Sequence, residues 1–431
     1  PFFKAFHMVR PTQTLLLLQE YIEQETYHPF DVSTLLFDDN QQGKNVSDDI
    51  LQILSSFENH SELPTALDLL LLYYQKRPDL FEQFYRVYEE RFEVNLDSPR
   101  FGYFTQTAVV KNLSEAVNAA PEDRNLLILF VRVAGCFLKL DVSKAEGGRR
   151  NTVSFYTLTL SPDQPVLEYR KMLWSQLYQI YQRGAVQDEI EQILYRYGMP
   201  CYNVDTGLDV VRAEFEDVLK FFDLFRLENL FHCVIAAHIK QVAKRINYSE
   251  LDILAPFLNS GKYKIYSALV PHRSEDYSEE YEKGVQRHRE RVCKLVEQYT
   301  PRDIDGLIQV CLESCQTFDK EERELSTGLG YVFEALQDQQ QLYLYLADAY
   351  MKADTPYKIY AGQILERLFE IKPALEVKEF ITQYRYNQQN VWLWFFFAFM
   401  PEQQVSAHWA AELLQYLSTP DVEMEASPYR R

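Results

Sequence analysis

The chain has 431 residues, of which 47% are hydrophobic, and a formal net charge of −19 at pH 7. That length suits about two or three compact domains or one extended repeat array. The negative charge repels phosphate backbones, so we expect no nucleic-acid binding by the surface as a whole, and it also favours solubility. Six cysteines without a CxxC pair do not make a disulfide scaffold in so large a chain, which favours a reducing, cytoplasmic setting.

The start of the chain contains no signal-peptide pattern of a basic segment followed by an apolar one. Because the first residue is Pro1 rather than Met, we expect that the chain is part of a longer protein. A clear helix pair is predicted at residues 63–75 and 80–92. Pro78, in the connection, ends the first helix and suits the first turn of the second. Two antiparallel amphipathic helices with a tight connection are the unit of an α-solenoid.

This pattern recurs towards the C-terminus and predicts an all-α fold. The helix pairs are about forty residues long, which is typical of HEAT-like repeats. The segment Trp174-x-x-Leu177-Tyr178 partly matches the tetratricopeptide opening, but Tyr178 replaces the expected glycine. We therefore predict an α-solenoid of irregular helical pairs, similar to HEAT or tetratricopeptide (TPR) arrays. The predicted division is N-terminal helical repeats at 1–145, a non-helical insertion at 146–165, central repeats at 166–270, C-terminal repeats at 275–417 and a flexible tail at 418–431.

The helical periodicity is interrupted after a predicted helix at residues 125–140. Residues 146–156 (EGGRRNTVSFY) combine two glycines and two arginines with a short alternating run. This predicts a small β-hairpin-like insertion near 146–161, packed against the solenoid. Glycine backbone amides and arginine charges can also hold an anion, so a hairpin and an anion site are both open. The candidate binding residues are Arg149, Arg150, Asn151 and Tyr156.

No complete motif for catalysis is evident. Residues 43–45 (GKN) lack the upstream glycine and the final Ser or Thr of a GxxxxGK(S/T) phosphate-binding loop. Glu376 and Lys378 match half of a metal-dependent nuclease signature, but their flanks predict a helix rather than the strand that such a site uses. Cys311 and Cys315 share a helix face, but no further zinc ligands lie at suitable spacing. We expect no enzyme activity, cofactor or metal site in this chain.

Two further segments have a marked composition. Residues 391–400 (VWLWFFFAFM) are the longest apolar run, but ten residues cannot span a bilayer, which needs about twenty in helical form. The run predicts a buried helix or a face covered by a partner, and no membrane association. Residues 279–299 predict a charged helix with acids first and arginines later, an order that matches the helix dipole. A solvated helix and a basic binding patch are both compatible with it.

Three groups of segments within residues 60–270 share a family resemblance. They are residues 66–71, 78–81, 90–92 and 100–103; residues 146–152 with Tyr156; and His232 and Cys233 with residues 263–266. This succession resembles the α-helical C-terminal region of large bacterial STAND-type P-loop NTPases, many of which act in antiphage defence. In that family an effector and an NTPase precede a helical sensor, which recognises a foreign protein and drives NTP-dependent oligomerisation. The resemblance implies that this chain is the sensor portion.

The architecture and the resemblance together predict a protein-recognition (sensor) fragment of a larger bacterial NTPase. It would bind a folded protein and relay that event to an NTPase or effector outside this chain, with an oligomer in the full-length context. Exposed aromatic residues would anchor the ligand. The alternative is a constitutive helical scaffold or assembly subunit without a foreign ligand. A nuclease is a third hypothesis, and it predicts that Glu376→Ala abolishes a metal-dependent activity.

Overall fold

The computed structural model describes residues 10–23, 51, 54–57, 61–91, 104–147, 153–160, 162–198, 207–270, 281–318, 322–353, 361–383 and 386–418. These residues are predominantly helical, and two short strands form the exception. The predicted all-α class is therefore confirmed. The chain divides into two compact units. Unit 1 takes the described residues of Pro1–Arg226 and Ile235–Ala255, and unit 2 those of Leu227–Val234 and Pro256–Arg431.

Unit 1 contains the first helices and both strands. In chain order they are α1 (Pro11–Glu23), α2 (Leu63–Lys76), α3 (Phe81–Arg91), α4 (Phe104–Ala119), α5 (Arg124–Phe137), β1 (Asp141–Gly147), β2 (Val153–Thr159), α6 (Gln164–Gln182), α7 (Gln187–Arg196) and α8 (Leu208–Leu219). The next helix, α9 (Leu230–Arg245), contributes residues to both units. Short 3-10 turns occur at Pro78–Leu80, Lys220–Asp223 and Asp252–Leu254.

The helices of unit 1 pack in two layers, in which most helices contact the helix two positions further along the chain. α1, α2, α4, α6 and α8 pack in succession in one layer, and α3, α5 and α7 pack in the other. Consecutive helices such as α4 and α5 connect the layers. Stacked helix pairs that contact mainly their neighbours define an α-solenoid, so the predicted solenoid-like architecture is confirmed.

Unit 2 holds the remaining helices. They are α10 (Ala255–Leu258, with Ala255 itself in unit 1), α11 (Gly261–Leu269), α12 (Tyr281–Val296), α13 (Pro301–Thr317), α14 (Glu322–Leu336), α15 (Gln340–Lys352), α16 (Ala361–Ile371), α17 (Ala374–Thr382), α18 (Tyr386–Phe399) and α19 (Ala407–Leu417). The same spacing recurs, because α12 packs on α14, α13 on α15 and α16 on α18. The predicted buried helix at 391–400 is α18, whose Trp392, Phe395 and Phe396 lie in the core.

Local sequence signals explain where many of these helices begin. Asp123 accepts a hydrogen bond from the backbone N–H of Leu126 at 3.0 Å and caps α5. Ser260 and Ser406 cap α11 and α19 in the same way. At α13, Thr300 and Asp303 form a reciprocal capping box before a proline in the first turn. These caps satisfy N–H groups that have no partner inside the helix.

Candidate functional site

The predicted insertion is an antiparallel hairpin between α5 and α6. Its register runs from Asp141 opposite Thr159 to Gly147 opposite Val153. The hairpin therefore begins at 141, earlier than the predicted 146 and inside the segment assigned to N-terminal helical repeats. Residues 141–145 have weak strand propensity, and they become a strand because they pair with β2, which is rich in β-branched and aromatic residues.

The candidate binding residues lie in or near the connection of this hairpin. Tyr156 lies in β2, opposite Lys144 in the register. Arg149, Arg150 and Asn151 fall outside the described residues. Their role as a contact or anion site therefore stays a prediction from sequence.

The hairpin is only weakly connected to the helices beside it. Among the described residues, neither β1 nor β2 packs extensively against a helix, and each strand has the other as its strand partner. The expectation that the hairpin packs against the solenoid therefore stays a prediction. Among the described residues no further strand pairs with either outer edge, and an unpaired strand edge is suited to contact with another chain.

A buried ion pair lies at the base of the hairpin. Arg170 of α6 donates two hydrogen bonds to the Glu214 carboxylate of α8, through Nε and Nη2, each 2.7 Å long. The exposed fractions of the two side chains are 0% and 4%. A bidentate pair of this kind fixes the angle as well as the distance between its partners.

The same guanidinium binds the chain where α5 ends and the hairpin begins. Nη1 donates to the carbonyl oxygens of Phe137 and Lys139, each at 3.2 Å, and Nη2 donates to that of Leu138 at 3.1 Å. The last carbonyls of a helix have no partner inside it and carry partial negative charge. Arg170 therefore caps α5 and, with Glu214, ties the base of the hairpin to two helices. We call Arg170 and Glu214 the anchor pair.

The electrostatics of the anchor pair keep Arg170 charged. Burial opposes the charge on Arg170, but the neighbouring Glu214 carboxylate outweighs that cost, and the net effect raises the arginine pKa. Tyr197 lies beside the pair, and its pKa is raised, first by burial and then by Glu214. Its hydroxyl donates to the carbonyl oxygen of Val211 at 3.3 Å.

Two backbone features complete the base of the hairpin. The N–H of Leu160 donates to the carbonyl oxygen of Leu140 at 3.3 Å, directly beyond the last register pair. Gly207, at the N-terminus of α8, has a φ of +69°, and a Cβ there would lie 3.3 Å from the Leu140 Cβ. Glycine suits both the left-handed backbone and the close approach to Leu140.

The anchor pair could have been found from the sequence by its position rather than by a motif. Arg170 lies on the face of α6 that also carries Tyr169, Leu173 and Leu177, all buried. Glu214 likewise shares the buried face of α8. Charged residues of opposite sign at core positions of two helices are rarely buried unless they are paired. That signal predicts a buried pair, although not its role beneath the hairpin.

Aromatic residues form the core rather than exposed anchors. In the described part of the chain, the exposed large hydrophobic residues are leucines and one valine, such as Leu16, Leu227 and Leu414. Trp174, from the partial tetratricopeptide match, is buried and packs edge-on against Tyr197 and Phe221. The expectation of exposed aromatic anchors is not met within the described residues.

The half-matched nuclease signature has a helical setting. Glu376 and Lys378 lie on α17, as their flanks predict. Glu376 is exposed and forms a salt bridge of 3.1 Å with Lys372, while Lys378 pairs with Glu412 of α19. The described residues contain no group of three or more His, Cys, Asp or Glu placed to hold a metal ion.

The charged helix is α12, and two of its arginines have partners. Arg289 pairs with Glu334 of α14, and Arg291 donates to the carbonyl oxygen of Val270 at 3.3 Å. A cavity of about 580 Å³ lies along α12, where its lining includes the exposed Cys293. The arrangement is that of a solvated helix whose basic residues hold neighbouring segments in place.

His232 and Cys233 lie close to residues 263–266 in unit 2; these are the third group of segments that carry the family resemblance. The buried Cys233 lies 3.3 Å from the Ser260 hydroxyl, measured from its Sγ, and Ser260 begins the helix that carries Tyr263 and Tyr266. Burial, the largest effect, raises the Cys233 pKa. His232 is also buried. The contact between Cys233 and Ser260 thus connects α9 with the start of α11.

No helix among the described residues is long and apolar enough to cross a membrane. Comparisons of the chain with protein-family models, with curated proteins and with solved structures return no match.

Proposed function

We propose that this chain is a protein-recognition module, the sensor portion of a larger bacterial NTPase, that binds a protein ligand through its helical array and hairpin. The observation that carries the proposal is the hairpin itself. It interrupts a regular two-layer array, packs little against the described helices, and has a base fixed by a fully buried ion pair. A rigid base fixes the orientation of the segment that follows it, and loops and strand edges on a rigid scaffold are the usual sites of binding.

The chemistry of the hairpin supports a protein rather than a small-molecule ligand. A strand edge offers a row of backbone donors and acceptors, which an extended protein segment can satisfy. Arg149 and Arg150 add two positive charges within a chain whose net charge is −19. Acidic protein surfaces would be attracted to this local charge, and the rest of the chain would repel them.

Affinity capture separates a sensor from a constitutive scaffold. The chain would be used as bait in lysates of bacterial cells taken before and after phage infection, followed by quantitative mass spectrometry. A sensor retains a protein that appears only after infection. A partner that is retained equally from uninfected cells would contradict the sensor function and favour the scaffold.

The link to an NTPase has its own test, because it concerns sequence outside this chain. The resemblance implies a GxxxxGK(S/T) loop encoded upstream of Pro1 in the same open reading frame. Sequencing the complete gene checks this directly. A complete reading frame without such a loop would remove the NTPase from the proposal and leave the recognition module to be judged by the capture experiment.

A further inference from the structure

The two strands of the hairpin differ in charge. β1 contains Asp141, Lys144 and Glu146, whereas β2, Val153–Thr159, contains no charged residue, no proline and no glycine. Charged side chains, lysine above all, protect edge strands against pairing with another chain. By sequence, β1 is therefore suited to the edge of a sheet, and β2, with its β-branched and aromatic residues, is suited to the centre.

Within the described part of the chain, β2 nevertheless lies at an edge. Its strand partner there is β1, and neither strand packs extensively on a described helix. Two-stranded hairpins are marginally stable in water, and a sheet of three or more strands is needed for independent stability. Among the described residues no further strand pairs with the outer edge of β2, which is about 23 Å long at the usual rise per residue.

We propose that β2 pairs in antiparallel orientation with β2 of a second copy of this chain, about a two-fold axis at Tyr156. The result is a four-stranded sheet in the order β1–β2–β2–β1. The two charged β1 strands form its edges, and the two uncharged β2 strands form its centre. The arrangement explains why the charges lie on one strand of the hairpin and not on the other. It concerns self-association and places the second copy on the β2 edge, so the ligand of the proposed function would then bind at the connection that contains Arg149 and Arg150.

Charge at this edge does not oppose a second copy as its occupant. Each copy has a net charge of −19, so two copies repel each other over most surfaces. β2 brings no charge to the contact, so no like charges face each other there. A two-fold axis at Tyr156 fixes which residues of the two β2 strands lie opposite each other. Val153 lies opposite Thr159 of the second copy, Phe155 opposite Thr157, and Tyr156 opposite Tyr156. A charged foreign strand would find no complementary charge on β2.

The first test is the mass of the chain in solution, measured by light scattering. The range should span about 1 to 100 µM, because a small interface gives weak association. The wild-type chain is expected to approach twice the monomer mass at the upper end. A monomer mass over the whole range would overturn the proposal.

Substitution of Tyr156 tests the position of the axis. Tyr156→Glu and Tyr156→Lys each place two like charges opposite each other, so each variant alone is expected to stay monomeric. An equimolar mixture of the two variants is expected to recover the dimer mass, because opposite charges then face each other. Lys144→Glu, at the register position beside Tyr156 but on the outer strand, is the matched control and is expected to stay dimeric. Unaltered dimerisation of both Tyr156 variants would contradict the proposal, as would a mixture that remains monomeric.

Disulfide formation provides a readout that does not depend on affinity. In a background with Cys201 and Cys293 replaced by serine, Tyr156→Cys is expected to form a dimer on mild oxidation, because mates in an antiparallel pair lie within disulfide reach. Ala145→Cys is the control, since the two β1 strands would be about 14 Å apart across the sheet. Equal cross-linking of the two variants, or none with Tyr156→Cys, would overturn the proposal.

Discussion

Arg170 and Glu214, 44 residues apart in the sequence, are joined by two hydrogen bonds of 2.7 Å at a site from which solvent is almost excluded. The pair connects α6 with α8, and the guanidinium also binds the carbonyl oxygens that follow α5. Three helices and the base of the hairpin thus depend on one arginine. Its replacement by a neutral side chain would leave a buried carboxylate without its partner.

Arg170→Ala is therefore expected to lower the free energy of unfolding of unit 1 by about 3–5 kcal/mol. Urea denaturation followed by far-ultraviolet circular dichroism measures this change. Lys111→Ala is the matched control, because Lys111 forms an exposed pair with Glu115 and such pairs contribute about 0–1 kcal/mol. A loss for Arg170→Ala no larger than that for Lys111→Ala would contradict the role of the anchor pair.

The double replacement Arg170→Met with Glu214→Leu tests whether the cost comes from the unpaired charge. Buried ion pairs are often replaced by hydrophobic residues of similar volume with little loss of stability. We expect the double variant to be more stable than Arg170→Met or Glu214→Leu alone, as measured by the same denaturation experiment. If the double variant loses as much free energy of unfolding as the two single variants together, the two residues act independently.

Gly328 of α14 approaches the backbone of Leu269 so closely that a Cβ would overlap its carbonyl oxygen. Gly328→Ala is therefore expected to destabilise unit 2 by about 1–3 kcal/mol or more, as overpacking of a core does. Gly306→Ala, on α13, is the matched control. A Cβ there meets no atom within 4 Å, and the helix propensity of alanine stabilises the chain by up to about 1 kcal/mol. Thermal unfolding distinguishes the two, and equal melting temperatures would contradict the packing at Leu269.

His238 predicts a dependence of stability on pH. Burial has the largest effect and lowers the pKa of His238 below the ordinary 6.5. A hydrogen bond to the Tyr197 carbonyl oxygen raises the pKa, and the charge of Arg245 lowers it. As the pH falls below about 6.5, the unfolded chain therefore takes up this proton before the folded chain does, and the folded state loses stability.

The measurement is the free energy of unfolding of the wild-type chain and of His238→Gln at about pH 7 and about pH 5. We expect the wild-type chain to lose more stability between these values than the variant, because glutamine takes up no proton. His408→Gln is the control, since 66% of the His408 side chain is exposed. The same loss in His238→Gln as in the wild type would mean that His238 does not cause the dependence.

The cysteines are expected to differ in reactivity. Cys293 is exposed, whereas Cys136, Cys233 and Cys311 are buried. Burial also raises the pKa of Cys311, so little of the reactive thiolate is present. Iodoacetamide followed by peptide mass spectrometry should modify Cys293 in the folded chain, and the three buried cysteines only on unfolding. Early modification of Cys311 would contradict its position in the core.

Much of the fold could be predicted because each helix carries its own signal. The predicted helix at 63–75 agrees with α2 (Leu63–Lys76) to one residue, since its apolar spacing and the following Pro78 are local features. The strand at 141–147 could not be placed so well, because its conformation depends on pairing with β2. The buried positions of Arg170 and Glu214 on their helix faces indicate that each needs a partner, but the two helices are distant in sequence, and no local pattern shows that the partner of Arg170 is Glu214.

The most direct test of the account is a capture experiment with three forms of the chain as bait, in lysates from phage-infected and uninfected bacteria. The forms are the wild type, Arg149→Ala/Arg150→Ala at the hairpin, and Lys240→Ala/Lys244→Ala, a charge-matched control at two exposed positions of α9. We expect the wild type and the control to retain one infection-specific protein, and the hairpin variant to retain at least about tenfold less, as for loss of a few central contacts. Retention of no infection-specific protein, or equal retention by all three forms, would contradict recognition through the hairpin.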